Sequence, residues 1–403
     1  MQSESRLDGE RDTRQDREAS RSSRPRWWTV VAGLAACLLG VLSWLPLRPW
    51  FSAIHVLLDL AGPAPPASTS AAGPSTLPNR TARVQDITIS SPSSAAAIPA
   101  HLYVPAVRIH RCVVIGHGVH YKGIDEPRLV RFATELAGAG AMVLTPELAD
   151  LADYRITRSG ADVLGSAVRD LSARCAGVTG GKVGLLGFSF AGGLSLLAAE
   201  SDPEVQRRLA YVASVGGYDD LGRVLHFLLN DEVVTPHGTE HRKAHEYGIV
   251  VLLYENLDRF VDPEDRDVMR AAVRAWLHED RALAWWLASR RTTLRSEKLF
   301  TLLASGHVNA LHAELEAALA SRANELRELS PAGRLASIDV PVYVLHGSAD
   351  SVIPPEETVW AGLELGNHPH KALVTPLLEH VELSKSPPVG EAFALVDFIA
   401  GLL

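Results

Sequence analysis

From about residue 82 onward the chain alternates short apolar runs with stretches of helical periodicity. VQDITIS and AHLYVP read as an opening strand pair. CVVIGHG, AMVLTP, KVGLLGF, AYVASVGG, VPVYVLHG and KALVTP are brief apolar or β-branched runs bounded by Gly, Pro or Asp. Between most of them, stretches such as EPRLVRFATELAGAG and SGADVLGSAVRDLSARCAG repeat apolar side chains at three- and four-residue spacing. The alternation predicts an α/β architecture, a mostly parallel sheet flanked on both faces by helices. One region, 221–333, breaks the rhythm with helical pattern and no buried strand, including DVMRAAVRAWLHEDRALAWWLASRR and HAELEAALASRANELREL. It is expected to be a helical insertion forming a cap over the carboxyl ends of the strands. Its Trp276, Trp285 and Trp286 either face a pocket beneath that cap or glue the insertion to the main core.

The N-terminal part has a different pattern. Residues 1–26 alternate acidic residues with Arg and hold almost no apolar side chain, so they are expected to form a disordered tail. Residues 27–45, WWTVVAGLAACLLGVLSWL, carry no charge, and a helix of that length nearly matches a hydrocarbon core of about 30 Å. Trp27, Trp28 and Trp44 lie at its ends, and Arg21, Arg24 and Arg26 precede it while only Arg48 closely follows. This pattern predicts a single-pass anchor with a cytoplasmic N-terminus and the remaining domain on the periplasmic or extracellular side. A cleaved signal peptide is the competing reading, although its apolar region is usually shorter and ends at a small-residue site that is not clean here. Residues 46–81 combine a membrane-proximal segment with a Pro-, Ser- and Ala-rich linker. Asn79-Arg80-Thr81 matches a glycosylation sequon.

The formal net charge of −8 and a pI near 6.1 provide no basic stripe for phosphates, which argues against nucleic-acid binding and for a small or neutral substrate. Three cysteines occur, with no zinc-ligand spacing. Cys112 and Cys175 each precede an apolar run, which suggests that both lie at the starting ends of parallel strands. The sequence leaves open a disulfide between them or two unpaired thiols.

The main chemical signal is GKVGLLGFSFAGG, a buried strand that runs directly into Gly187-Phe188-Ser189-Phe190-Ala191 and then an apolar helix. This is a G-x-S-x-A form of the nucleophile elbow, whose sharp turn needs small residues two positions either side of the serine. The following helix directs its N-terminal donors and partial positive charge at the nucleophile. Serine also needs a base to take its proton and an acid to orient that base. Asp350 follows the strand of VPVYVLHGSADSVIPP, and His380 follows the next strand, in KALVTPLLEHVEL. The order Ser189, Asp350, His380 is that of an elbow-type triad.

Over roughly 82–403 the chain resembles the α/β-hydrolase superfamily, in its dienelactone-hydrolase-like and esterase-like branch, through HGVHYKG, GFSFAGG, LHGSADSVIPP and LEHVEL in the matching order. The resemblance implies Ser189 as nucleophile, His380 as general base and then general acid, and Asp350 as its orienting acid. It also implies an oxyanion hole formed by the backbone N–H groups of Phe190 and Val119. The expected function is a serine hydrolase cleaving an ester, lactone or related acyl bond of a small-molecule substrate, with no metal or organic cofactor. Ala191 stands where glycine is commoner, which obscures the branch. An acyltransferase or peptidase would use the same triad, and a catalytically silent ligand- or partner-binding domain is the alternative from another class.

Other residues compete for these roles. Asp219 and Asp220 follow an earlier strand and are the alternative source of the acid. His117 and His120 read as loop-shaping residues, with His120 also a candidate to line the pocket. His237, His241 and His245 recur every four residues, which predicts a shared helix face and invites a metal reading, but no zincin pattern surrounds them.

Overall fold

The computed structural model describes residues 82–91, 94–379, 382–383 and 389–402, with Trp50, Ala53, Ile54 and Leu57 before them. The chain divides into two units, 1–51 and 52–403, and the elements below belong to the second. The expected tail at 1–26, the span at 27–45, most of 46–81 and the sequon at Asn79 lie outside the described residues. Among the described residues, no helix is long and apolar enough to cross a membrane.

The strands are β1 (Ala82–Ser91), β2 (Ser94–Pro105), β3 (Arg111–Gly116), β4 (Ala141–Pro146), β5 (Val183–Phe188), β6 (Leu209–Val215), β7 (Glu232–Thr235), β8 (Gly238–His241), β9 (Val342–Gly347), β10 (His370–Thr375), β11 (Leu378–Glu379) and β12 (Glu382–Leu383). Eight of them form one sheet in the order β1-β2-β4-β3-β5-β6-β9-β10. Antiparallel pairing is confined to β1 with β2 and β2 with β4, and all other neighbours run parallel. Every apolar run predicted as a strand has a place in this sheet. The central β3 and β5 are buried along most of their length, which is why they read as continuous apolar runs rather than as alternations.

The strand order reverses direction between β3 and β5. The chain leaves β3 toward β4 on one side and proceeds from β5 toward β6, β9 and β10 on the other. Loops that leave the carboxyl ends of strands at such a switch point diverge and open a crevice between them. The loop after β3 carries Gly118 and Val119, and the turn after β5 carries Ser189. Topology alone therefore brings these two motifs together.

The insertion is helical, with Leu221–Asn230, Tyr247–Glu255, Arg266–Leu277, Arg281–Ala288, Leu294–Ala304, His312–Ser321 and Ala323–Glu328 as its helices. It departs from expectation in three ways. A β7–β8 hairpin follows its first helix, with Val234 paired to Thr239. His237 lies in the hairpin turn, His241 on β8 and His245 in the loop beyond, so the three share no helix face; Gly238, at φ 137, makes the turn. The long helical pattern at 266–290 is cut at Glu279, which adopts φ 62, after which Asp280 caps a new helix by accepting the N–H of Leu283 at 2.9 Å.

Cys112 and Cys175 form a disulfide with a Cα–Cα distance of 6.6 Å. Cys112 opens β3 as expected. Cys175 does not start a strand: it terminates the helix Arg158–Arg174, whose last turn packs under the amino end of the sheet. The apolar run that follows Cys175 is delayed by a short helical turn, Ala176–Thr179, and β5 begins only at Val183.

Candidate active site

Ser189 sits at the junction of β5 and the helix Phe190–Ser201, with φ 53 and ψ −132. An L-residue in that region is strained, and such strain persists only where surrounding packing fixes it. Two features fix it here. The Ser189 N–H donates to the Val215 carbonyl at the end of β6, at 2.8 Å. The turn is also so tight that a Cβ on Gly187 would run into the backbone carbonyl of Ala191. The helix beyond is buried through most of its length, so the serine is held against a rigid support.

Gly118 packs directly on the serine. A Cβ there would lie 3.0 Å from Ser189 Cβ and 3.6 Å from its Oγ. His117, buried beside it, sets the orientation of the following peptide. Its Nε2 accepts the Leu148 N–H at 2.9 Å, so its proton is on Nδ1, which donates to the Gly118 carbonyl at 2.8 Å. In a trans peptide the N–H of Val119 points opposite to that carbonyl, away from His117. Phe190 is the first residue of its helix, so its N–H has no partner within the helix. His117 therefore shapes the loop.

Asp350 lies in the loop after β9 and is fully buried. Its Oδ1 accepts the N–H groups of Val352 and Ile353 at 2.8 and 3.0 Å, and its Oδ2 faces His346 Nε2 at 3.3 Å. His346 is buried too: Nε2 donates to the Ile353 carbonyl at 2.9 Å, and Nδ1 accepts the Thr358 hydroxyl at 3.1 Å. In the sequence His346 has only its place near the end of a strand, four residues before Asp350, to set it apart from the other histidines. His380 lies outside the described residues. The chain leading to it is described: the Leu378 carbonyl packs so closely on Gly347 that a Cβ there would collide with it. That contact brings β11 to the carboxyl end of β9, from which the Asp350 loop departs.

The alternative acids have partners of their own. Asp219 Oδ2 accepts from Arg223 Nη2 at 2.8 Å, and Glu357 Oε2 accepts the backbone N–H groups of both Asp219 and Asp220, at 3.0 and 2.7 Å. Burial and the neighbouring Glu357 carboxylate push the Asp219 carboxyl up to about 7 against the pull of Arg223. Asp220 caps the helix Leu221–Asn230 by accepting the Arg223 N–H at 3.0 Å. Among the described residues, no group of three or more His, Cys, Asp or Glu side chains is arranged to hold a metal ion.

The insertion attaches on both sides of the serine. His278, after the helix Arg266–Leu277, stacks on Tyr121 of the loop after β3, with ring centroids 4.5 Å apart. Tyr154, in the segment after β4, donates to the Leu277 carbonyl at 3.2 Å and packs against Tyr247. On the other side, the His245 N–H donates to the Ser351 carbonyl at 2.8 Å, next to Asp350. The first attachments lie on the β3 and β4 side of β5 and the last on the β9 side, so the insertion is fixed on either side of that strand; Ser189 itself is 5% exposed. Tyr121, Tyr154, Tyr247 and His278 make an aromatic wall there, and His120 stacks on Tyr121 with centroids 4.8 Å apart. Burial holds the His120 imidazole below its ordinary range. Trp276 and Trp285 both pack edge-on to Phe300, with centroids 6.0 and 5.0 Å away, and Trp285 and Trp286 are each half exposed.

The sheet order, the reversal between β3 and β5 and the strained serine define the α/β-hydrolase fold. No protein-family model matches the chain, and no curated protein matches it. Among solved structures, the rice cell wall degrading esterase LipA of Xanthomonas oryzae superposes with a TM-score of 0.49 at 15% identity, over 80% of this chain and 90% of that one. A puromycin-hydrolyzing peptidase of Mycobacterium tuberculosis gives 0.44 at 14% identity, over 79% of this chain. The match covers 38% of the length of that peptidase.

Proposed function

We propose that the protein is a serine hydrolase acting on an ester, lactone or related acyl bond, with Ser189 as nucleophile, His380 as base and Asp350 as acid. The observation that carries this reading is the backbone of Ser189: a strained serine at a strand-to-helix junction, seated beside Gly118 at the switch point of the sheet. In the proposed reaction, Ser189 Oγ attacks the acyl carbonyl while His380 takes its proton. The N–H groups of Phe190 and Val119 bind the oxyanion, and the adjacent helix N-terminus adds to that field. The tetrahedral species collapses as the imidazolium protonates the leaving alcohol. Water then enters, loses a proton to His380 and releases the carboxylic acid from the acyl-enzyme. Asp350 stabilises the imidazolium, and its own position is supported by two backbone donors and His346.

The aromatic wall of Tyr121, Tyr154, Tyr247 and His278 favours a substrate with an apolar or aromatic portion. We further propose that 27–45 anchors the chain in a membrane and holds the domain on the periplasmic or extracellular side. The Cys112–Cys175 disulfide is in keeping with an oxidising compartment.

The test is labelling of the full chain with a fluorophosphonate probe. Labelling at Ser189 that is lost in Ser189→Ala and His380→Ala and weakened in Asp350→Ala supports an activated nucleophile, and a panel of acyl esters and lactones then defines the substrate. An unlabelled protein with a cooperative melting transition would overturn the reading in favour of a binding domain. A reporter fused after Leu403 that proves cytoplasmic would overturn the topology.

A further inference from the structure

We propose that the surface of the insertion carried by residues 281–298 docks onto a lipid surface bearing anionic headgroups. This inference does not rest on the hydrolase reading.

Apolar exposure is concentrated in this stretch. Trp285 and Trp286 are each 52% exposed, Leu283 is 43% exposed and Leu294 is 84% exposed. The helix Arg281–Ala288 buries Ala284 and Ala288, one turn apart. Leu283 and Trp286, three residues apart, therefore share the outward side. Neither propensity nor core packing requires large apolar side chains at those outward positions, since Ala282 on the same helix is exposed without them.

The charge around them is of one predominant sign. Arg281, Arg290, Arg291, Arg295 and Lys298 accompany the apolar side chains in a chain whose net charge is −8; Glu297, 3.9 Å from Arg291, is the acidic residue within the stretch, and Asp262 faces Arg295 at 3.5 Å from outside it. Arg290 lies over the Trp286 ring, 3.9 Å from its centroid, so the cation and the indole form one amphipathic unit. Next to this surface is a cavity of about 410 Å³ lined by Arg259, Arg295 and Lys298, by Phe260, Leu299 and Leu302, and by one carboxylate, Glu314. Three cations against one carboxylate, with apolar side chains in the same lining, suit a phosphate and the first part of an acyl chain.

Lipid fits these features better than a protein partner does. Indole rings prefer the membrane interface, and clustered Lys and Arg are drawn to anionic leaflets. A fluid surface also lets each protruding side chain sink independently, whereas a protein partner would need a matching concavity and carboxylates placed opposite each arginine. The proposed anchor at 27–45 would keep a bilayer within reach of the domain through the 46–81 stretch.

The experiment places an environment-sensitive fluorophore at Leu294→Cys in the full chain, with Cys37→Ser to remove the other unpaired thiol. The labelled chain is reconstituted into nanodiscs of phosphatidylcholine alone or mixed with phosphatidylglycerol, and is also added to preformed discs so that the reading survives a failure of the anchor. The expected result is a blue shift and quenching by spin-labelled lipid in the anionic discs. Both should be lost at high salt and in a Leu283→Ser/Trp286→Ser variant whose melting transition is unchanged. Water-like emission in anionic discs overturns the proposal, as does a blue shift that the double variant retains. A shift that appears without lipid and grows with protein concentration also overturns it, by assigning the surface to a second copy of the chain.

Discussion

The disulfide provides a measurable separation between stability and chemistry. Cys112 and Cys175 close a loop of sequence separation 63. In the chain-entropy account, a loop of that size removes enough freedom from the unfolded chain to stabilise the fold by about 4 kcal/mol. With an unfolding entropy of about 2.1 cal/mol/K per residue over a domain of roughly 320 residues, the loss on breaking the bridge corresponds to a fall in Tm of about 6 °C. Both sulfurs are buried, so a Cys112→Ala/Cys175→Ala variant should lose somewhat more, through the space left behind. Chemistry should be untouched. Cys112 is at the amino end of β3 and Gly118 lies beyond its carboxyl end, separated by six strand residues or roughly 20 Å. The assay pairs thermal melts of the full chain, oxidised and refolded under reductant, with the fluorophosphonate labelling rate at a temperature well below both transitions. The expected outcome is a lower Tm with an unchanged labelling rate per folded molecule. A shift within about 1 °C would refute the entropic estimate. Two reactive thiols besides Cys37 in the unreduced, denatured protein would refute the bridge itself.

Three further outcomes follow from the site. A Gly118→Val side chain would press on Ser189 Cβ and Oγ and displace the loop proposed to bind the oxyanion, so the labelling rate should drop by about 100-fold while the fold melts normally; an unchanged rate would sink the role proposed for that loop. Ser189→Gly should abolish labelling yet raise stability by about 1–2 kcal/mol in a denaturant titration, because glycine accepts φ 53 without strain, whereas Ser189→Ala should show no such gain. The Asp219 carboxyl, raised from 3.8 to about 7, is an acid that the folded state holds protonated over a range where the unfolded chain has released its proton. Its contribution is therefore full below pH 3.8 and is lost as pH rises through about 7. Denaturant titrations across that window should show stability falling with pH in the wild type and a flatter profile in Asp219→Asn; parallel profiles would contradict the assignment.

The parts of this molecule legible in the sequence are those set by local pattern. The central strands were legible because a strand buried on both faces must be a short apolar run, as β3 and β5 are, and the edge strand β1 because its apolar and polar residues alternate. The serine turn was legible for a related reason: a sharp strand-to-helix junction admits only small residues at 187 and 191. Misreadings arose where one spacing satisfies two geometries. His237, His241 and His245 have helical spacing, but Pro236-His237-Gly238 is a turn between β-branched Val233, Val234, Thr235 and Thr239, and the hairpin prevailed. The break at Glu279 carries no Gly or Pro; its only local sign is Asp280, a residue type that caps helices. The Cys112–Cys175 pairing was open because it joins a strand to a helix end across the sheet, and the register between them is tertiary.

What no local pattern conveys is how the insertion is held over the site. His278 on Tyr121, Tyr154 on the Leu277 carbonyl and His245 on the Ser351 carbonyl are each contacts between distant segments, and each uses a residue ordinary in its own stretch. His346 illustrates the same limit beside Asp350: its burial and its partners Thr358, Ile353 and Asp350 are properties of the folded loop, while in sequence it is one histidine among many. The consequence for function is a division of labour. The elements that read plainly from the sequence place Ser189 and Asp350. The long-range contacts attach the insertion on both sides of β5, and in the reading proposed here they decide which acyl group reaches Ser189.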